Sequence, residues 1–235
     1  MLKNFIYICM GAGLLACSSV TNIHTSAERV EVNSAYDHEN KIDSIVQPYK
    51  EDLEKEMLEV IARSDHDFTK GRPNGVLNNW ATDALLDNQL RTSKGQRQVM
   101  SLLNVGGLRN PISKGDVTVG DIFKLMPFDN TVVWVEMPIE VLPEIEAYLK
   151  ERGGEPVGMV KIENGKIRFL NPISESKTFW IITSDYLMNG GDNMTFFEKK
   201  ISFENDGVLL RDIFLEEVKM QKVLRYNDEE RITFE

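Results

Sequence analysis

Three loops marked by glycine or proline hold the residues best suited to ligand chemistry. The first is Asn104-Val105-Gly106-Gly107-Leu108-Arg109-Asn110-Pro111-Ile112. Paired glycines let a backbone approach a ligand closely or take positive φ, and Arg109 adds a planar fork suited to phosphate or ribose oxygens. The second, Leu125-Met126-Pro127-Phe128-Asp129-Asn130, sets an aromatic ring beside an amide. The third, Ser184-Asp185-Tyr186-Leu187-Met188-Asn189-Gly190-Gly191-Asp192, couples an aromatic, a glycine pair and a carboxylate. Each alone has an ordinary explanation: a Gly-Gly turn, a core Phe, an Asp that caps a turn. Together they suit a flat base held between two rings, where stacking contributes ~1–3 kcal/mol per base. A carboxylate would then grip the ribose hydroxyls, as in dinucleotide sites.

No engine for covalent or metal chemistry accompanies these loops. The sequence has three histidines, His24, His38 and His66. Ser64-Asp65-His66-Asp67 has a metal-like look, but no second carboxylate–histidine cluster completes a coordination sphere. It reads as a solvated turn after a helix. Gly-x-x-x-x-Gly-Lys-Ser/Thr, Gly-x-Ser-x-Gly and His-Glu-x-x-His are all missing from the sequence.

An ordered set of motifs resembles the C-terminal, substrate-binding domain of the 5′-nucleotidase and UDP-sugar hydrolase family. The set is Asn79-x-x-x-Asp83-Ala84, Asn104-x-Gly-Gly-Leu-Arg109, Val119-Gly120-Asp121-Ile122-Phe123, Leu125-Met126-Pro127-Phe128-x-Asn130-Thr131 and Asp185-Tyr186-Leu187-x-x-Gly190-Gly191-Asp192. The resemblance runs from about Val60 to Phe197. It implies that Phe128 and Tyr186 sandwich the base and that Asn104 contacts it. By the same resemblance Arg109 contacts phosphate or ribose, Asp192 holds ribose hydroxyls, and Asn130 matches an Asn used by some members. A further family arginine lies just before the Asn79 helix, and Arg72 stands nearest to it.

Two departures from the family pattern stand out within the loops. Tyr186 replaces the commoner Phe, which keeps the stacking face and adds a hydroxyl. Asp129 replaces the usual Gly, an extra anion expected to favour nucleosides or less charged substrates. Full-length members also carry a metallophosphatase domain whose dinuclear centre draws on several histidines in Asp-x-His and Asn-His-Asp/Glu motifs. None of the three histidines here sits in such a motif. The resemblance therefore implies no catalytic residue, metal or cofactor in this chain, and divalent metals on a separate metallophosphatase partner. By family the chain would be part of a hydrolase, inactive alone. The other readings are a non-enzymatic envelope lipoprotein that captures nucleosides or nucleotides for uptake or sensing, and a scaffold with a vestigial pocket.

The elements that must position these loops show in the hydrophobic spacing. Ile45, Val46, Tyr49, Leu53, Met57, Val60 and Ile61 recur at three and four residues, which predicts an amphipathic helix over 43–62, turning to strand near Val60. Pro48 belongs in its first turn, so the start is expected a few residues after Asp43. Leu77, Trp80, Ala81, Ala84 and Leu85 mark a second helix. Val99–Leu103 reads as a buried strand, Thr131–Met137 and Thr178–Thr183 as β-branched strands, and Ile139–Lys150 and Val208–Met220 as helices. Val160–Glu163, Asn164-Gly165 and Lys166–Phe169 form a strong hairpin signal. Strands and helices do not alternate regularly enough for a doubly wound sheet, so the predicted fold class is α+β, with helices packed on mixed sheets.

Composition bounds the partners. The 235 residues carry 27 Lys and Arg against 37 Asp and Glu, a net charge of −10, which argues against a nucleic-acid polymer as ligand. Both cysteines, Cys9 and Cys17, fall near the start. The uncharged run Phe5–Ala16 is well short of the ~20 residues a spanning helix needs and reads as a secretory signal core. Leu14-Leu15-Ala16-Cys17 resembles a bacterial lipobox. The expected organisation is a lipoprotein signal peptide at 1–16, a tether at 17–42 and the ligand-binding domain at 43–235. Lipidation at Cys17 would anchor the protein in the bacterial cell envelope, at the outer membrane by the Ser18 that follows.

Overall fold

A computed structural model describes residues 26–27, 29, 40–92 and 97–234. The expected signal peptide, Cys17, His24, His38 and nearly all of the tether lie outside the described residues. The chain divides into two compact units, Met1–Val46 and Gln47–Glu235, and apart from the first residues of one helix everything that follows lies in the second.

A helix, α1 (Asn40–Met57), leads into a strand, β1 (Val60–Ser64), as the spacing predicts, but the helix starts earlier than expected. Pro48 lies in its interior, not in its first turn. Tyr49 and Leu53, expected on a core-facing stripe, are exposed. The Ser64–Asp67 segment accordingly follows a strand instead of a helix. It is a side-chain turn in which Ser64 Oγ donates to the His66 carbonyl at 2.6 Å, and the His66 ring packs on Tyr226 with centroids 4.4 Å apart.

The second unit is built on a five-stranded mixed sheet. After α2 (Val76–Thr92) come β2 (Val99–Leu102), the short β3 (Gly115–Thr118) and α3 (Val119–Leu125). β4 (Thr131–Pro138) leads through a 3-10 turn into α4 (Leu142–Arg152). Then follow β5 (Val157–Gly158), the hairpin β6 (Val160–Glu163) and β7 (Lys166–Phe169), and β8 (Thr178–Ser184). A short α5 (Asp185–Met188), β9 (Ser202–Leu209) and α6 (Leu210–Gln221) complete the order. The sheet runs β5-β2-β8-β4-β9, with β1-β3 and β6-β7 as separate pairs. This is the predicted α+β class with mixed sheets.

Burial explains the strand sequences. The interior strand β4 reads as a nearly unbroken apolar run because both of its faces are covered. Val132 and Trp134 face one core with Trp80, Leu85 and Phe214 from α2 and α6. Val133, Val135 and Met137 face a second core with Ile145 and Leu149 of α4. The Asn164-Gly165 turn takes positive φ at both residues, 52° and 72°, as a tight primed hairpin requires. The short β3, β5 and α5 escaped the periodicity, and so did two larger features. β9 is an exposed edge strand without apolar alternation. α3 is only seven residues long and is fixed by a capping box between Thr118 and Asp121 instead of by an amphipathic stripe.

Candidate functional site

The sheet topology decides where the three loops go. β2 and β8 are parallel neighbours, with Met100 opposite Ile181 and Ser101 opposite Ile182, so the loops after both strands leave at the same sheet end. β4 runs antiparallel to β8 with Val132 opposite Ser184, so the loop before β4 arrives at that end too. Carboxyl ends of parallel strands are recurrent ligand sites because their loops converge there. Here they frame a crevice of about 280 Å³. Asn104, Gly106, Gly107 and Arg109 line it from the first loop, Phe128 and Asn130 from the second, and Tyr186 and Asp192 from the third.

Each loop is held by specific bonds. In the first, the Gly107 N–H donates to the Asn104 carbonyl at 3.0 Å, and Arg109 N–H donates to the Leu125 carbonyl at 2.8 Å, tying it to the second loop. Lys70 Nζ donates to the Val105 and Leu108 carbonyls at 3.3 and 2.5 Å. Burial, with the Arg109 and Arg72 charges added, lowers the Lys70 pKa. At Gly107 a Cβ would lie 2.5 Å from Asn104 Oδ1, so a larger residue there would have to displace the Asn104 side chain. In the second loop, Arg211 of α6 pairs with Asp129 at 2.6 Å, and its guanidinium sits 4.5 Å from the Phe123 ring centroid. In the third, Ser184 Oγ caps α5 by accepting from Leu187 N–H, and Asp185 Oδ1 accepts from Thr131 N–H at 3.1 Å.

The polar groups of the crevice are wired to one another. Asp192 Oδ1 accepts from the Tyr186 hydroxyl at 3.1 Å, and Oδ2 accepts from Asn104 Nδ2 at 2.6 Å. Asp192 itself has φ 52°, in the left-handed region a non-glycine residue seldom adopts. Its backbone carbonyl accepts from the Tyr148 hydroxyl at 3.1 Å. Burial, followed by the Glu155 charge, pushes the Tyr148 phenol up to about 12. The Tyr186 ring lies against Gly191, where a Cβ would come within 2.5 Å of it. Phe128 and Tyr186 are both large apolar surfaces left half exposed, at 41% and 47%. Arg109 lies 6.0 Å from the Phe128 centroid and donates one N–H to the Gly106 carbonyl at 3.3 Å.

Arg72 stands apart from the crevice lining. Its guanidinium pairs with the buried carboxylate of Glu155 and donates to the Gly154 carbonyl at 2.9 Å. Asp129 differs from expectation as well: it is not among the lining residues, and its charge is met by Arg211. Tyr148, Glu155, Arg152, Lys70 and Arg211 support the site without having been singled out in the sequence. Nothing local marks them, since each acts through a partner on another element. Among the described residues no three His, Cys, Asp or Glu side chains come together as metal ligands.

The family model for the 5′-nucleotidase C-terminal domain matches residues 60–142. The protein UshA of Salmonella pullorum is 26% identical over 135 residues, covering 52% of this chain and 24% of that protein. The trifunctional nucleotide phosphoesterase YfkN of Bacillus subtilis is 26% identical over 168 residues, covering 61% of this chain and 11% of its own length. Among solved structures, a 5′-nucleotidase precursor from Thermus thermophilus superposes with a TM-score of 0.66 at 22% identity, covering 83% of this chain and 43% of that one. The Haemophilus influenzae NAD nucleotidase gives 0.63 at 18% identity, covering 84% and 42%. The chain thus spans a quarter or less of these curated relatives and under half of these structures, and the superpositions show a shared fold.

Proposed function

On the premise that this chain carries a 5′-nucleotidase C-terminal domain, we propose that its crevice binds the base and ribose of a nucleoside or nucleotide. The observation that carries the reading is the convergence of three sequence-distant loops. They leave two large rings half exposed at a crevice that also presents Arg109 and the Asp192 carboxylate. Apolar surface gathered beside polar groups in a crevice is a common mark of a ligand site, and a nucleobase would cover these two rings by stacking. Asp192 is an acceptor already oriented by Asn104 and Tyr186. Its remaining lone pairs suit ribose hydroxyls. Arg109 and Asn130 complete the polar lining.

The phosphoryl chemistry in this reading belongs to a metallophosphatase on a separate polypeptide, which supplies the divalent metals. Base and ribose contacts remote from the scissile bond would then lower the barrier by positioning. Cys17 would hold the module at the envelope by its lipid, and Cys17→Ser is expected to move the protein from the membrane to the soluble fraction.

Calorimetric titration with adenosine and AMP tests the binding step. Phe128→Ala and Tyr186→Ala should each weaken it by ~1–3 kcal/mol. AMP hydrolysis by the chain, by a metallophosphatase and by the mixture tests the catalytic step, where a mixture rate above the sum is expected. Binding with no such gain would leave the chain a non-enzymatic nucleoside-capture protein.

A further inference from the structure

Behind the crevice, outside its lining, sits a carboxylate with no surface of its own. Glu155, in the turn between α4 and β5, is 0% exposed. Its Oε2 accepts from the Val105 N–H of the first loop at 2.7 Å. Its Oε1 accepts from Arg72 and, at 3.4 Å, from Arg152 Nε at the end of α4. The same Arg152 brings Nη2 to 4.0 Å from Asp192 Oδ2. Donors from three separate segments therefore meet on one buried anion, and one of them reaches on to the third loop.

We propose that Glu155 is a positioning residue: it fixes the first loop through Val105 and, through Arg152, orients the Asp192 carboxylate for a ribose. The inference rests on the nucleoside-binding reading above. Burying a carboxylate is costly even when it is paired, and a well-packed apolar side chain would hold the same segments together at least as well. What an apolar residue cannot do is set the direction of a backbone N–H and of two guanidinium groups. Lys70 bonds the Val105 and Leu108 carbonyls. The first loop is thereby gripped by an anion at an N–H and by a cation at its carbonyls, which leaves Asn104 a defined approach to Asp192.

Three measurements on the full chain test this: calorimetry with adenosine, calorimetry with 2′,3′-dideoxyadenosine, and amide hydrogen exchange. In Glu155→Gln the expected result is faster exchange in residues 104–109 with the 160–169 hairpin unchanged. Adenosine binding should weaken by about tenfold, and the preference for adenosine over the dideoxy compound should shrink. Arg152→Gln, which keeps the Val105 bond, should shrink the preference while leaving exchange at 104–109 as it was. A purely structural role would weaken both nucleosides alike, so an unchanged preference in both variants overturns the proposal. If Glu155→Gln does not fold, the Arg152→Gln preference decides alone. If the unsubstituted chain binds neither nucleoside, the nucleoside reading falls, and unchanged exchange at 104–109 in Glu155→Gln overturns the positioning role independently.

Discussion

Asn104 and Asp192, 88 positions apart in sequence, share a 2.6 Å hydrogen bond within the crevice, from the Asn104 amide to Asp192 Oδ2. That bond joins the loop after β2 to the loop after β8. It also settles which way the Asn104 amide points, because its nitrogen is committed to the carboxylate and its Oδ1 is turned toward Gly107.

The Tyr186 hydroxyl and ring can be separated by substitution. Tyr186→Phe removes the bond to Asp192 Oδ1 and keeps the stacking face. A hydrogen bond at a partly exposed site contributes about 0.5–1.5 kcal/mol, so adenosine affinity should fall by no more than that. Tyr186→Ala should lose the larger stacking contribution. Titration calorimetry on the two variants checks the order.

Glycine at 191 is a spatial requirement. A Cβ there meets the Tyr186 ring at 2.5 and 2.6 Å and the Tyr186 carbonyl at 2.6 Å. Gly191→Ala should displace the ring, destabilise the protein by about 1–3 kcal/mol as overpacking does, and abolish measurable adenosine binding. Thermal unfolding and titration of the same sample read both effects.

Asp129 is paired with Arg211 at 2.6 Å and does not line the crevice. Asp129→Asn is therefore expected to leave the ratio of AMP to adenosine affinity within about twofold, the size of an exposed ion-pair effect. Arg211→Met is the contrasting variant. Arg211 also donates to the Met126 and Phe128 carbonyls at 3.4 Å, so its loss should weaken binding of both ligands together.

Tyr148 gives the alkaline limit. Burial and the Glu155 charge raise its folded pKa to about 12, above the ordinary value near ~10. The folded state therefore holds the phenol proton more tightly than the unfolded chain. The resulting stability is fully present below about pH 10 and is lost as pH rises toward about 12. Denaturation midpoints across that window should fall less steeply in Tyr148→Phe than in the parent, and the parent's phenolate absorbance should show a late step that Tyr148→Phe loses.

Local patterns carried much of the architecture. The apolar spacing of Leu77–Leu85, the Asn164-Gly165 turn and the β-branched run Thr131–Met137 each report a backbone preference that operates over a few residues, and each appears as read. α1 shows where that logic stops. Its stripe is as periodic as a core helix, yet Tyr49 and Leu53 are exposed, because periodicity fixes a face without naming what covers it. β9 lacked any signal, since its side chains are exposed and its place at the sheet edge is set by backbone pairing with β4 and by polar contacts such as Arg97–Glu204.

The candidate site divides the same way. Residue types in the three loops already fixed what chemistry was available: two rings, an amide, a guanidinium and a carboxylate, with no catalytic histidine set. Their meeting depended on the parallel β2–β8 pair and the antiparallel β4, which bring separated loops to one sheet end. Only the folded chain could show that Arg72 turns to Glu155, that Asp129 turns to Arg211, and that Glu155 lies behind the first loop at all. Such contacts are made between residues some 50 to 80 positions apart, where burial and pairing are properties of the packed whole and leave no trace in a local window.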